Sequence, residues 1–148
     1  MNPFDMRLGN DLPAHLNTYT RDVIGAAIEV HRHLGPGFQE SVYEEAMLVE
    51  LAAVGFRYQQ QVSIPIEYKS HRVGLARIDL LIEEELVLEL KAVESVLPVH
   101  KAQALSYLKA GGYPLALLIN FNVPVLKDGV HRLIRSTRWR PRENGTLP

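Results

Sequence analysis

Residues 77–91 read RIDLLIEEELVLELK, two apolar runs that flank three consecutive glutamates. The pattern predicts an antiparallel hairpin, and if its turn is centred on Glu84, Asp79 lies opposite Glu89 because both are equally far from the turn. Alternate side chains of a strand share a face, so Lys91 projects on the same face as Glu89. Paired positions bring Cβ atoms to about 5 Å, where like charges repel each other. A bound divalent cation is one arrangement that offsets this repulsion.

The two carboxylates and the lysine suggest a specific chemistry. Carboxylate oxygens suit magnesium or manganese, and the main-chain carbonyl of Leu90 could complete part of the coordination shell. Lys91 would then stand beside the coordinated water and face the charge that develops on a phosphate. A salt bridge from Lys91 to Asp79 or Glu89 on a solvated sheet face explains the spacing equally well, so the hairpin alone leaves both interpretations open.

Length and composition indicate one domain without membrane spans. The chain has 148 residues, of which 47% are hydrophobic and 22% charged, as is typical of a globular domain. No apolar run approaches the ~20 residues of a membrane span and residues 1–16 lack an apolar signal core, so a cytoplasmic location is expected. The absence of cysteine excludes disulfides, thiolate metal sites and a cysteine nucleophile. Because the net charge is −1, binding to nucleic acid would depend on a local basic patch.

Periodicity and turn residues divide the chain into an α/β order of elements, ααβββαβ plus a C-terminal strand. The predicted elements are helices at about 18–34, 40–54 and 98–110, strands at about 58–68, 73–82, 86–93 and 115–121, and a hairpin or edge strand at about 125–134. This order predicts a mixed sheet flanked by helices. An N-terminal arm (1–17) and a basic tail (137–148) flank the single domain (18–136). The tail either contacts phosphates or serves only solubility.

Two helices carry further candidate residues. Glu40 begins the second helix, where its charge either stabilises the helix dipole or provides a third carboxylate at the metal. Tyr43 lies close to the same face. Gln103 and Tyr107 share one face of the third helix, with His100 one turn earlier, and the pair could hold a phosphate or a water. They could equally be ordinary polar positions of an amphipathic helix.

In this order the residues resemble those of the PD-(D/E)XK nuclease superfamily. The resemblance rests on Glu40, Asp79, Glu89-Leu90-Lys91 and Gln103-x-x-x-Tyr107, the last of which is similar to the final motif of RecB-type nuclease domains. Gly37-x-x-Glu40-x-x-Tyr43 resembles the motif that names the GxxExxY proteins within this superfamily. In this chain an isoleucine, rather than a proline, precedes Asp79.

The resemblance implies a restriction-endonuclease-like core and a nuclease that uses Mg²⁺ or Mn²⁺ to hydrolyse phosphodiester bonds in nucleic acid, with DNA as the expected substrate. It also implies a role for each candidate residue. The metal ligands are Asp79, Glu89 and the main chain of Leu90, the catalytic residues are Lys91, Glu40, Gln103 and Tyr107, and the substrate contacts are Tyr43, His100 and Arg77.

Two other functions are compatible with the same sequence. A non-catalytic module that binds nucleic acid or protein could retain the nuclease fold. A hydrolase of small phosphoesters would need no basic surface, which the net charge of −1 allows. The apolar helix near the N-terminus leaves a homodimer open.

Overall fold

Helices and strands follow one another in the predicted order, in a computed structural model that describes residues 12–135. The elements are α1 (Ala14–Leu34), α2 (Glu40–Val54), β1 (Tyr58–Tyr68), β2 (His71–Ile82), β3 (Leu86–Lys91), α3 (Pro98–Gly111), β4 (Leu115–Asn120), a short 3-10 helix (Leu126–Gly129) and β5 (Val130–Ile134). The architecture is a restriction-endonuclease-like α/β fold, which confirms the predicted fold class.

The first helix begins earlier than predicted. α1 starts at Ala14 after Pro13, whose missing N–H leaves no donor unpaired at a helix start. Thr18 and Thr20, whose hydroxyls could cap a helix that starts near residue 18, therefore lie inside the helix. The Thr20 hydroxyl donates to the carbonyl of Leu16 (2.9 Å), an acceptor in the same helix, so it does not cap the helix start. The predicted helix start near residue 18 is therefore wrong, because the helix begins directly after Pro13 and not at a threonine cap.

A mixed sheet connects the elements. The strands lie in the order β1-β2-β3-β4-β5, and all neighbours are antiparallel except β3 and β4, which α3 joins as a crossover. β1 is an edge strand, which accommodates Pro65 because a proline has no N–H to donate to a second neighbour. β5 forms the other edge, so only the second half of the predicted segment 125–134 is a strand, and its first half contains the 3-10 helix.

Each face of the sheet has its own helical cover. α1 and α2 pack on one face, where Val23 and Met47 share a core with Leu88 of β3. α3 packs on the other face, where Leu108 shares a core with Val87. Because successive side chains of β3 point to opposite faces of the sheet, Leu88 packs against α1 and α2, and Val87 packs against α3.

Some predictions fall outside the described part of the chain. Residues 1–11 of the arm and the whole basic tail (137–148) belong to this group. Within residues 12–135, none of the helices has the length and apolarity that crossing a membrane requires.

Candidate active site

The site lies where β2 and β3 separate. The two strands pair at Ile82–Leu86, Leu81–Val87 and Leu80–Leu88. Beyond this point β2 pairs only with β1, and β3 pairs only with β4. We call this divergence the fork.

Asp79 and Glu89 occupy the next position of the ladder, at the fork. The main-chain N–H of Asp79 donates to Glu89 Oε1 (3.1 Å), and the N–H of Leu90 donates to Asp79 Oδ2 (2.8 Å). Each of the two side-chain carboxylates thus accepts from a main-chain N–H where the β2–β3 ladder ends. The predicted register, with Asp79 opposite Glu89, is confirmed by the pairing of Leu80 with Leu88, one position before them.

Burial makes this carboxylate pair electrostatically unfavourable. The side chain of Glu89 is 7% exposed and that of Asp79 is half-buried. Loss of solvation and the neighbouring Asp79 charge raise the pKa of Glu89 to about 8. Loss of solvation also raises the pKa of Asp79, against the lowering effect of the Leu90 N–H bond. A cation beside the two groups would remove this penalty.

Leu90 offers its main chain to the same place. Its side chain is 2% exposed in the core with α1 and α2, whereas its N–H points across the fork to Asp79. Within a strand the N–H and C=O of one residue point to the same side. The Leu90 carbonyl therefore faces the fork, where β2 no longer supplies a donor for it.

The main chain of Lys91 is hydrogen-bonded on the β4 side of the strand. The N–H of Phe121 donates to the carbonyl of Lys91 (2.9 Å). Next to it, the buried Asn120 side chain accepts from the N–H of Val93 (3.0 Å) and donates to the Val93 carbonyl (2.9 Å). The Lys91 charge lowers the pKa of both Asp79 and Glu89, so its ammonium lies near the carboxylate pair. Within residues 12–135 it makes no salt bridge closer than 4 Å to either carboxylate.

Glu40 approaches the site from α2 but stays exposed. It is the first residue of that helix, and its charge raises the pKa of both Asp79 and Glu89. Among residues 12–135, however, no three His, Cys, Asp or Glu side chains are grouped to hold a metal ion. Glu40 therefore neighbours the pair without forming a third ligand in this arrangement. Its location in the first turn also agrees with the dipole interpretation.

Two residues that the sequence analysis missed connect α2 to the fork. The amide of Gln61 donates to Glu44 Oε1 (2.8 Å) and interacts with the Asp79 carboxylate, whose pKa it lowers. Burial, followed by the Asp79 charge, raises the pKa of Glu44. Glu44 was detectable, since it lies one turn after Glu40 on the same face. Gln61 was not, because its position depends on a left-handed backbone (φ 52) within β1 that no residue of its type signals.

Tyr107 and Gln103, the two predicted residues on α3, lie in different environments. Tyr107 is half-buried, and loss of solvation followed by the Glu89 and Asp79 charges raises its pKa. Its phenol therefore lies near the carboxylates and is neutral at physiological pH. Gln103 is exposed on the same helix, one turn closer to its start. The structure thus brings Tyr107 to the site and leaves Gln103 at its solvent side.

Tyr43 requires a correction. The sequence predicts a substrate contact, but the side chain is 0% exposed and its ring stacks on Phe121 at 4.5 Å between centroids. Its hydroxyl donates to the carbonyl of Gly35 (2.6 Å) and accepts from the N–H of Phe38 (3.2 Å). Tyr43 therefore anchors the loop before α2, in which Gly37 has a left-handed backbone (φ 111). No polar atom of Tyr43 is left to contact a substrate.

His100 and Arg77 lie at the margins of the site. The Nδ1 atom of His100 accepts from the N–H of Leu97 (2.9 Å) and so caps the start of α3, and the predicted contact of His100 with substrate stays a prediction. Arg77 is exposed on β2, two residues before Asp79, and its charge lowers the pKa of Glu44. Its predicted contact with substrate stays a prediction.

The donors at the fork fit a hard divalent cation. Magnesium commonly binds one or two carboxylates and keeps several waters, so a third carboxylate is not required. Two carboxylates and a carbonyl that faces the same gap provide this donor set. The buried negative charge of the pair is the independent reason to expect a cation here.

Comparison with known proteins agrees with this geometry. The family model described as the PD-(D/E)XK nuclease superfamily matches residues 17–133. The match covers α1 to β5 almost completely, including the fork. A search of curated proteins gives no significant match.

Proposed function

The chain belongs to the PD-(D/E)XK nuclease superfamily, and we propose that it is a magnesium- or manganese-dependent nuclease that hydrolyses phosphodiester bonds in DNA. The observation that carries this proposal is the carboxylate pair at the fork, where Glu89 accepts from the Asp79 N–H, Asp79 accepts from the Leu90 N–H, and Lys91 lies beside them. Family membership supports nuclease chemistry in general, and the metal and DNA are the finer parts of the proposal.

Different residues of the fork bind the cation and stabilise the charge that develops on the phosphate. Asp79, Glu89 and the Leu90 carbonyl hold the cation. When bound, a divalent cation lowers the pKa of a coordinated water and offsets charge on the phosphate. Lys91 donates from its ammonium group to the attacking water or to a phosphate oxygen, where negative charge develops. The Phe121 N–H bond fixes the main chain of Lys91, so its reach is preorganised.

Residues on the helices complete the surroundings. Tyr107 carries a neutral phenol near the carboxylates and donates its proton in a hydrogen bond to a phosphate oxygen. Gln103, exposed on the same helix, contacts the substrate further from the bond that breaks. Glu44 and Gln61 keep Asp79 oriented from the α2 side.

Cleavage assays with matched variants test the proposal. The protein is incubated with single- and double-stranded DNA and RNA, in Mg²⁺, in Mn²⁺ and in chelator. Lys91→Ala is expected to lower kcat by roughly 10²-fold or more, since it removes a donor to the developing charge. Lys109→Ala, an exposed lysine at the end of α3, serves as the control and should leave cleavage unchanged. Equal behaviour of the wild type and Lys91→Ala under every metal condition would rule out the hydrolase.

The same assays separate the other two functions. A non-catalytic module predicts that DNA binding survives both Asp79→Ala and Glu89→Ala and that calorimetry detects no uptake of Mg²⁺ or Mn²⁺. A small-phosphoester hydrolase predicts turnover of nucleotide substrates without cleavage of polynucleotides.

A further inference from the structure

Beyond the fork, β1 and β2 continue as a two-stranded ribbon. From Val62 outward their pairing extends to Tyr68–His71, where Lys69 and Ser70 form the turn. Every residue from 67 to 73 is exposed. We call residues 67–73 the ribbon tip.

Positive charge exceeds negative charge on this ribbon. Residues 67–78 include Lys69, Arg72 and Arg77 and one acidic residue, Glu67, which lies opposite Arg72 in the β1–β2 register. Within the described residues, none of the three cations forms an ion pair. Because the whole chain carries a net charge of −1, the ribbon is a local basic patch of the kind that a polyanion would need.

The turn of the ribbon tip has residues that folding alone would not favour. Lys69 and Ser70 both have left-handed backbones (φ 48 and φ 69), as a two-residue turn of type I′ requires. Asn-Gly is the favoured pair for this turn. The chain instead retains a lysine, whose ammonium lies 5.4 Å from the centre of the Tyr68 ring. A local rule broken at an exposed position suggests a function for the side chain.

β2 sets the distance between the ribbon tip and the fork. Arg72 and Asp79 are on the same strand, and at about 3.3 Å per residue they lie roughly 23 Å apart. Duplex DNA rises about 3.4 Å per base pair, so this distance corresponds to about 7 base pairs.

We propose that the ribbon tip binds the phosphodiester backbone of duplex DNA about 7 base pairs from the bond that is cut at the fork. Lys69 and Arg72 supply the charge, and the strand β2 fixes their distance from Asp79. This inference rests on the proposed nuclease function for the location of the cut, but the binding itself requires no catalysis.

Binding is measured in chelator, by fluorescence anisotropy, with Lys91→Ala protein so that no cleavage occurs. The probes are hairpin-closed DNA duplexes with stems of about 6 and about 24 base pairs, which are too short and long enough, respectively, to span fork and tip. Lys69→Asn with Arg72→Gln is expected to weaken binding of the long stem on the order of tenfold or more at about 0.1 M salt. The slope of log affinity against log salt should fall by about 2. The loss should be smaller on the short stem.

Two further variants separate charge from folding. Lys109→Asn with Arg21→Gln removes the same charge from exposed positions on α3 and α1, and should leave the affinity unchanged. Lys69→Asn with Ser70→Gly installs the favoured turn, so it should raise the melting temperature while weakening DNA binding. A binding loss that comes from unfolding would lower the melting temperature instead.

The outcomes distinguish this inference from the proposed function. If metal-dependent cleavage occurs but neither ribbon variant changes affinity or salt slope, the ribbon proposal fails and the nuclease stands. If the ribbon variants weaken DNA binding but no metal supports cleavage, the ribbon proposal stands and the nuclease fails. Weakened binding of an RNA duplex, with DNA binding unaffected, overturns the assignment to DNA.

Discussion

Glu89→Gln is expected to stabilise the metal-free protein while it abolishes cleavage. The substitution keeps the shape of the side chain and an oxygen that accepts the Asp79 N–H bond. It removes an ionisable carboxyl group that is 7% exposed and lies opposite a second carboxylate. The prediction therefore isolates the cost of the carboxylate pair from the rest of the fold.

The magnitude follows from the pKa of Glu89, which burial and the Asp79 charge raise from 4.5 to about 8. A raised carboxylate pKa means that the folded state binds a proton more tightly than the unfolded state, so stability falls as the pH rises from 4.5 towards 8. At pH 7 the accumulated loss is about 3 kcal/mol, since one pKa unit corresponds to about 1.4 kcal/mol. Below the unfolded pKa the group costs nothing, so the variant and the wild type should converge there.

Urea unfolding in chelator, followed by circular dichroism from pH 4 to pH 8.5, measures this difference. Glu67→Gln on the exposed part of β1 is the control and should change the free energy of unfolding by less than about 0.5 kcal/mol. Added Mg²⁺ should stabilise the wild type and not Glu89→Gln, because only the wild type binds the cation. A variant that is less stable at pH 7, or whose effect is the same at every pH, would refute the reasoning from burial of the pair.

Three further substitutions test the supports of the site. Gln61→Gly should lower cleavage by losing the bond to Glu44, yet should raise the melting temperature because glycine accepts the left-handed backbone, and kinetics with thermal unfolding measure both. Gly129→Ala should destabilise the protein by about 1–3 kcal/mol in urea unfolding, because its Cβ would meet the main-chain carbonyl of Asn120; unchanged stability would contradict this contact. Tyr43→Phe should cost about 1–2 kcal/mol in the same assay, since the Gly35 carbonyl loses its donor, and KM for DNA should not change; a raised KM would restore Tyr43 as a substrate contact.

The register of the hairpin could be predicted from sequence because a strand alternates strictly. Once the glutamates are assigned to the turn, every pair of positions follows, and Asp79 opposite Glu89 is among them. The start of α1 was harder, since Pro13 and Thr18 are both acceptable start signals and only packing chooses between them. The location of Tyr43 shows a different limit, because helical spacing states which residues share a face but not whether that face meets core or solvent.

The contact that Gln61 makes could not be predicted from local sequence signals. Its amide reaches Glu44 because one residue of β1 turns left-handed opposite the fork. Gln61 is skipped in the pairing of β1 with β2, between Gln60–Leu80 and Val62–Ile78. Such an irregularity depends on what the neighbouring strand does at Asp79, so it is a property of the assembled sheet.

The fork explains why fold and chemistry are difficult to separate in this chain. Where the pairing of β2 with β3 ends, the N–H groups of Asp79 and Leu90 donate to the two carboxylates. The groups that a cation requires are therefore also groups that satisfy the main chain at the divergence of the strands. Asp79→Asn keeps an acceptor for the Leu90 N–H and removes the charge, whereas Asp79→Ala removes both. The difference in unfolding free energy between these two variants thus measures the structural share of Asp79, and the cleavage lost already in Asp79→Asn measures the share that depends on its charge.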